Sequence, residues 1–146
     1  MLPCMRFAMI NTPIHISERN TPLRAGMSYP DALCLLCREA TATHCPESAQ
    51  SAERSALERE AQEPTYIGRG MAIPHARVEG LANAYVYLAR SEAGIPWPEE
   101  AARTVVLLVV PAEQPDLYLQ LLRRTVKWRM LGEPCPLGEF IGSLSS

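Results

Sequence analysis

The run Thr104-Val105-Val106-Leu107-Leu108-Val109-Val110 constrains this chain more than any other segment. Five of its seven residues are β-branched and none is charged, so it suits an extended strand better than a helix. A strand with one face in water alternates apolar and polar residues, whereas an unbroken apolar run has both faces covered. Pro111, which lacks a ladder N–H, then ends it. The run is far too short to cross a bilayer, which takes about 20 residues in a helix. It predicts a sheet with helices packed on both sides.

The neighbouring segments supply those helices. Ser28 is placed to cap a helix whose first turn holds Pro30 and Asp31, where a missing N–H and a negative charge are both tolerated. Ala32, Leu33, Leu35, Leu36 and Ala40 give it an apolar face through about Thr43, and Pro46 ends it. A second helix is predicted from about Glu47 to Ala61, with the charges of Glu53 to Glu60 on a solvated face, stopped by Glu63-Pro64. Asp116 opens a third, with Leu117, Leu121, Leu122, Val126 and Met130 at helical spacing. Arg123, Arg124 and Lys127 form a basic patch near its C-terminus, where the helix dipole favours cations. A short helix from about Pro136 to Leu144 follows. Extended pieces are predicted at Tyr66-Ile67-Gly68 and at Gly70 to Ile73, joined at Arg69, and again at Tyr85 to Arg90, with a loop over Gly94 to Pro98. Trp97 and Trp128 read as packing residues. Residues 1–27 are irregular, punctuated by Pro3, Pro13 and Pro22, with a short strand somewhere in Arg6 to Ile16. The expected architecture is α/β: a small mixed β-sheet flanked by helices, in a single domain over residues 28–146.

Composition narrows the partners. A net charge of −2 over 146 residues leaves no basic footprint for nucleic acid or an anionic membrane. The N-terminus has no clean apolar stretch, so no secretory signal is expected, and the five cysteines lack framework spacing. Both point to the cytoplasm. Cys34-Leu35-Leu36-Cys37 with His44-Cys45 has the outline of a zinc site. Cys34 and Cys37 nevertheless lie one turn apart on a leucine-rich helix, where cysteine serves as a small buried hydrophobe, and no metal is expected. Cys4 and Cys135 have no local pattern. His15 reads as a surface bystander, and His44 as a partner for the C-terminal dipole of the first helix.

The segment Gly70-Met71-Ala72-Ile73-Pro74-His75-Ala76 is where chemistry concentrates. Pro74 holds Ile73 extended and stops the strand, which would leave His75 exposed at the lip of the sheet. Gly68 and Gly70 leave room for close approach, and Arg59, Arg69 and Arg77 lie within sequence reach. An imidazole with an ordinary pKa near 6.5 is largely neutral and nucleophilic at pH 7, and guanidinium forks suit phosphoryl oxygens. On these grounds alone, a lone histidine after a proline, with no second catalytic group nearby in sequence, is more often structural or incidental.

The pair Arg59-Glu60 followed by Tyr66 to Ala76 closely resembles the active-site signature of the fructose/mannitol-type enzyme IIA domain of the bacterial phosphotransferase system. Gly94-Ile95-Pro96-Trp97 and the apolar strand with its leucine-rich helix extend the resemblance over about residues 28 to 144. It implies that family's helix-flanked mixed sheet. It further implies that His75 takes a phosphoryl group from the phosphorylated histidine phosphocarrier protein, itself charged from phosphoenolpyruvate through enzyme I. His75 would pass the group to an enzyme IIB domain or use it as a signal to a transporter or regulator. Arg59 matches the arginine that steadies the phosphoryl group, and no metal or organic cofactor is implied. Many members carry a second histidine, in a His-Leu pattern, at the start of the helix after the apolar strand; here Tyr118 stands in its place. A tyrosine O–H can donate to a phosphate oxygen or to the imidazole nitrogen that does not attack, but it adds no positive charge. Two alternatives follow: Tyr118 as a half-buried core residue in a degenerate, non-catalytic regulatory module, or a small anion-binding enzyme using Arg59 and His75.

Overall fold

In the computed structural model, which describes residues 12–24 and 26–145, the apolar run lies inside a six-stranded mixed sheet. Its strands are β1 (Ile14–Glu18), β2 (Tyr66–Gly68), β3 (Met71–Ala72), β4 (His75–Val78), β5 (Ala84–Pro96) and β6 (Ala101–Pro111). Their order is β1-β5-β6-β3-β2, with β4 also paired to β6. β5 and β6 are antiparallel, while β1 runs parallel to β5, and β3 and β4 run parallel to β6. β6 is thus covered along both edges as well as both faces.

Alternate residues of β6 feed two separate cores. Val105, Leu107 and Val109 pack with Leu33, Leu36, Cys37, Ala52 and Ala56 from helices α1 (Tyr29–Thr41) and α2 (Ala49–Gln62). Val106, Leu108 and Val110 pack with Leu117, Leu121, Trp128, Leu137 and Ile141 from α3 (Pro115–Met130) and α4 (Leu137–Ser145). The result is a three-layer sandwich, and the period of two along a strand is what divides the layers. Among the described residues, no helix is long and apolar enough to cross a membrane.

Local chemistry explains where elements begin and end. Ser28 caps α1, its Oγ accepting from the Asp31 N–H at 3.2 Å. α1 stops at Thr41, short of the expected Thr43, and the Thr41 hydroxyl donates back to the Cys37 carbonyl at 2.8 Å. A 3-10 turn at Pro46–Ser48 replaces the expected first turn of the second helix. The predicted loop over Gly94 to Pro98 is instead largely strand. β5 resumes after an irregularity, pairing Ile95 with Ala102 and Pro96 with Ala101. Gly94 makes the return possible: its φ is +86°, and a Cβ there would sit 2.8 Å from the Ala101 Cβ.

Other expectations need correction. The short strand expected somewhere in Arg6 to Ile16 is β1, which lies further along at Ile14–Glu18 and pairs Ile14 with Ala84. Arg6 to Asn11, part of the expected strand span, and Cys4 lie outside the described residues. His15 is no bystander: its ring stacks on His44, centroids 4.0 Å apart, and on Tyr85 at 5.3 Å. The charged run on α2 is not wholly solvated, because Glu60 is buried, and Arg124 is buried rather than part of a surface patch. Cys37 is buried too, and burial pushes its thiol up to about 12, so it packs as a neutral hydrophobe. Trp97 and Trp128 are core residues with bonded indole N–H groups.

Candidate phosphoryl-transfer site

The site forms where α2, β4 and α3 meet. Pro74 interrupts the sheet without ending it. Ala72 of β3 pairs with Val105, and His75 of β4 pairs with Leu108, so the chain advances three residues on each strand and keeps its register. Across the gap the Pro74 carbonyl accepts from the Leu108 N–H at 2.9 Å. His75 is therefore the first residue of a new strand, not a lip residue, and it is only 5% exposed. The expectation of an exposed surface histidine is overturned by this continuation.

Both ring nitrogens are engaged. Nδ1 lies 2.8 Å from the Ile73 carbonyl, which can only accept, so Nδ1 carries the proton. Nε2 keeps its lone pair and accepts from the Tyr118 hydroxyl at 3.1 Å. Of the two partners expected for the Tyr118 hydroxyl, a phosphate oxygen or the ring nitrogen that does not attack, neither is the one found: it sits on the nitrogen that keeps the lone pair. Its ring is buried, centroid 4.5 Å from that of His75. Burial, followed by the positive charge of Arg59 and then Arg77, pushes the His75 pKa down to about 4, against the pull of the Ile73 carbonyl. The imidazole is thus neutral, in one tautomer, throughout the physiological range.

Two of the three nearby arginines join it. A cleft of about 380 Å³ is lined by Ser55, Glu58, Arg59, Gln62, His75 and Arg77. Arg59 stands in the last turn of α2, where its Nη1 donates to the Glu63 carbonyl at 2.7 Å. The N–H of Arg77 donates to the Ser55 hydroxyl at 2.8 Å, and its Cζ lies 5.2 Å from the Tyr118 ring centroid. Arg69 does not take part: it forms the β2–β3 turn at φ +53°, and its carbonyl accepts from Arg129. Among the described residues, no group of three or more His, Cys, Asp or Glu is arranged to hold a metal ion.

Glu60, next to Arg59, is a residue whose part in the site the sequence reading missed. Its carboxylate accepts from the Thr65 N–H at 2.6 Å, the Thr65 hydroxyl at 2.8 Å and the Trp97 indole N–H at 2.8 Å. These bonds tie the end of α2 to the start of β2 and to the end of β5, and so hold the turn that carries Arg59. Its one signal in the sequence was the Arg-Glu pairing upstream of Gly-Ile-Pro-Trp.

The model of the phosphoenolpyruvate-dependent sugar phosphotransferase system EIIA 2 family matches residues 16–131. A fructose-specific EIIA component from Haloferax volcanii is 35% identical over 69 residues, covering 45% of this chain and 45% of that protein. The match thus spans less than half of that relative's length. Among solved structures, the nitrogen regulatory protein IIA-Ntr from Neisseria meningitidis superposes with a TM-score of 0.62 at 17% identity, over 89% of this chain and 92% of that one. The mannitol IIA from Escherichia coli gives 0.54 at 18% identity, over 84% and 92%. The complex of that IIA with phosphorylated enzyme IIB gives 0.57 at 16%, over 82% and 91%. At such identities these structures speak for the fold, and the family match for kinship: the chain belongs to the EIIA 2 family of the phosphoenolpyruvate-dependent sugar phosphotransferase system.

Proposed function

We propose that this protein is a phosphoryl carrier and that Nε2 of His75 is the atom that carries the group. The observation behind this is the tautomer. Nδ1–H is held by the Ile73 carbonyl, so the nitrogen with the lone pair is the one beside Tyr118, and His75 lines a cleft together with Arg59 and Arg77. The incoming group arrives on a nitrogen of the phosphorylated histidine phosphocarrier protein. Nε2 attacks phosphorus as that N–P bond breaks, and the donor nitrogen recovers its lone pair. No proton on His75 need change place. The Tyr118 hydroxyl gives up Nε2 and donates to a phosphoryl oxygen, while Arg59 offsets the charge on the equatorial oxygens. An enzyme IIB domain is the proposed acceptor, in keeping with the complex solved for the mannitol relative. We assign the role to the domain of residues 28–146, with β1 completing its sheet, working in the cytoplasm in keeping with its free cysteines.

The test is reconstitution with phosphoenolpyruvate, enzyme I and the histidine phosphocarrier. An acid-labile mass increase of one phosphate, absent in His75→Ala, is expected. No label on wild type, with the variant still folded, would reject the carrier reading. Arg59→Gln should slow labelling at least about ten-fold, or about 1.4 kcal/mol in barrier. A second reading, a non-catalytic regulatory module, is favoured by Tyr118 occupying Nε2, and an unlabelled wild type is its expected result.

A further inference from the structure

We propose that Arg77 is the second phosphoryl-binding cation of this site, supplying the positive charge that Tyr118 lacks. The proposal rests on His75 as the phosphoryl acceptor and adds a residue with which that reading dispenses.

The placement follows from β4. His75 and Arg77 are two residues apart on one strand, so their side chains leave the same face. Ala76 and Val78, between and after them, belong to the core under α1 and α2, so the shared face is the α3 side, where Tyr118 stands. The edge of β4 away from β6 has no strand partner among the described residues and is covered by α2 instead. There the Ser55 hydroxyl accepts from the Arg77 N–H, pinning the backbone beside the cleft. Arg59 reaches the same cleft from α2, so His75 is flanked by one guanidinium from the helix and one from its own strand.

The two cations differ in how they are held. Arg59 is bonded to the Glu63 carbonyl and paired with the Glu63 carboxylate. Arg77 is exposed, and among the described residues no carboxylate pairs with its guanidinium, though Glu58 lines the same cleft. Its visible partner is the face of the Tyr118 ring, at a separation within cation–π range. Tyr118 therefore links the nucleophile to the cation, its hydroxyl on Nε2 and its ring under Arg77. When the N–P bond to Nε2 forms and the donor's N–P bond breaks, the hydroxyl loses its acceptor and turns to a phosphoryl oxygen. The Arg77 fork, which lines the same cleft as His75 and Arg59, then leaves the ring for the phosphoryl oxygens.

The experiment compares wild type, Arg77→Gln and Arg77→Lys in the reconstituted phosphorylation assay, alongside NMR titration of the unphosphorylated proteins with inorganic phosphate. Arg77→Gln should slow labelling ten-fold or more, and Arg77→Lys should recover part of the loss, because the point charge returns without the fork. In the titration, phosphate should shift the His75 ring signals of wild type and bind several-fold more weakly to Arg77→Gln. Labelling of Arg77→Gln within two-fold of wild type would overturn the proposal and leave His75 standing. Unlabelled wild type would remove the carrier reading, and phosphate binding would then decide: weakening in Arg77→Gln supports Arg77 as an anion ligand, and no change overturns it. If Arg77→Lys is as slow as Arg77→Gln and both melt earlier than wild type, Arg77 merely packs on Tyr118, and the proposal is likewise overturned.

Discussion

Acid should destabilise this protein through His75, and by an amount the structure lets one calculate. The imidazole is buried and the charges of Arg59 and Arg77 act on it, so its folded pKa is about 4 against an ordinary value of 6.5, despite the Ile73 carbonyl that holds its Nδ1–H. The folded state therefore binds this proton less well than the unfolded one. Stability from this group is complete above pH 6.5 and falls as the pH drops, with slope set by the protons bound only by the unfolded chain. At pH 5.5 the loss is about 1.4 kcal/mol, and by pH 4 about 3 kcal/mol, a large share of a typical domain's 5–15 kcal/mol. Two measurements check it. The Cε1–H resonance of His75 should titrate near pH 4. Urea midpoints should fall more steeply between pH 6.5 and 4.5 for wild type than for His75→Gln, which has no proton to gain. A ring titration at pH 6 or above, or parallel pH profiles for the two proteins, would refute the reasoning. The same logic bears on chemistry. A nucleophile already neutral at pH 5 should keep its intrinsic reactivity from pH 5 to 8, with no inflection near 6.5 in the labelling rate.

Three further predictions concern neighbours of the site. Glu60→Ala strands three buried donors and should cost about 3–5 kcal/mol in denaturant unfolding, whereas Glu60→Gln, which keeps an acceptor for the Thr65 and Trp97 N–H groups, should cost about 1–2 kcal/mol. Gly94→Ala forces a side chain into left-handed backbone and against the Ala101 Cβ, and should lower stability by about 2 kcal/mol; an unchanged melting temperature would show that the bend relaxes freely. Tyr118→His should raise the labelling rate about ten-fold if the missing positive charge limits transfer, equivalent to about 1.4 kcal/mol of barrier, and an unchanged rate would show that Tyr118 with Arg77 suffices.

What was legible in the sequence was whatever repeats over a helix turn or a strand. β6 declares itself by an unbroken β-branched run, α1 by a cap and an apolar face, and α3 by leucines at helical spacing. Of the short strands, β2 and β3 show as extended pieces on either side of Arg69, while β1 is only loosely marked and β4 not at all. β1 and β4 have five and four residues, and each exists because a longer neighbour offers a free edge: β5 to the first, β6 to the second. Glu60 was misread for a related reason. Its helix is polar, and the partner that draws the carboxylate inward, Trp97, lies 37 residues downstream. Identity was readable at the site, then, and environment was not.

Pro74 shows why that gap matters for chemistry. Read locally, a proline that stops a strand leaves the next residue in water, and an imidazole in water titrates at its ordinary pKa. In the fold, β3 and β4 are two segments of one line along β6, and the break adds no residue to the register. Because the count is kept, His75 falls on the α3 face, beside Tyr118, and its Nδ1 falls beside the Ile73 carbonyl that selects the tautomer. One residue more or fewer in the break would turn β4 over. His75 would then enter the core under α1 and α2, and Ala76 would meet Tyr118 in its place. The motif's fixed spacing is thus a register constraint as much as a chemical one. It sets which side of the sheet the nucleophile leaves, which nitrogen bears the lone pair, and how far the imidazole is from taking up a proton.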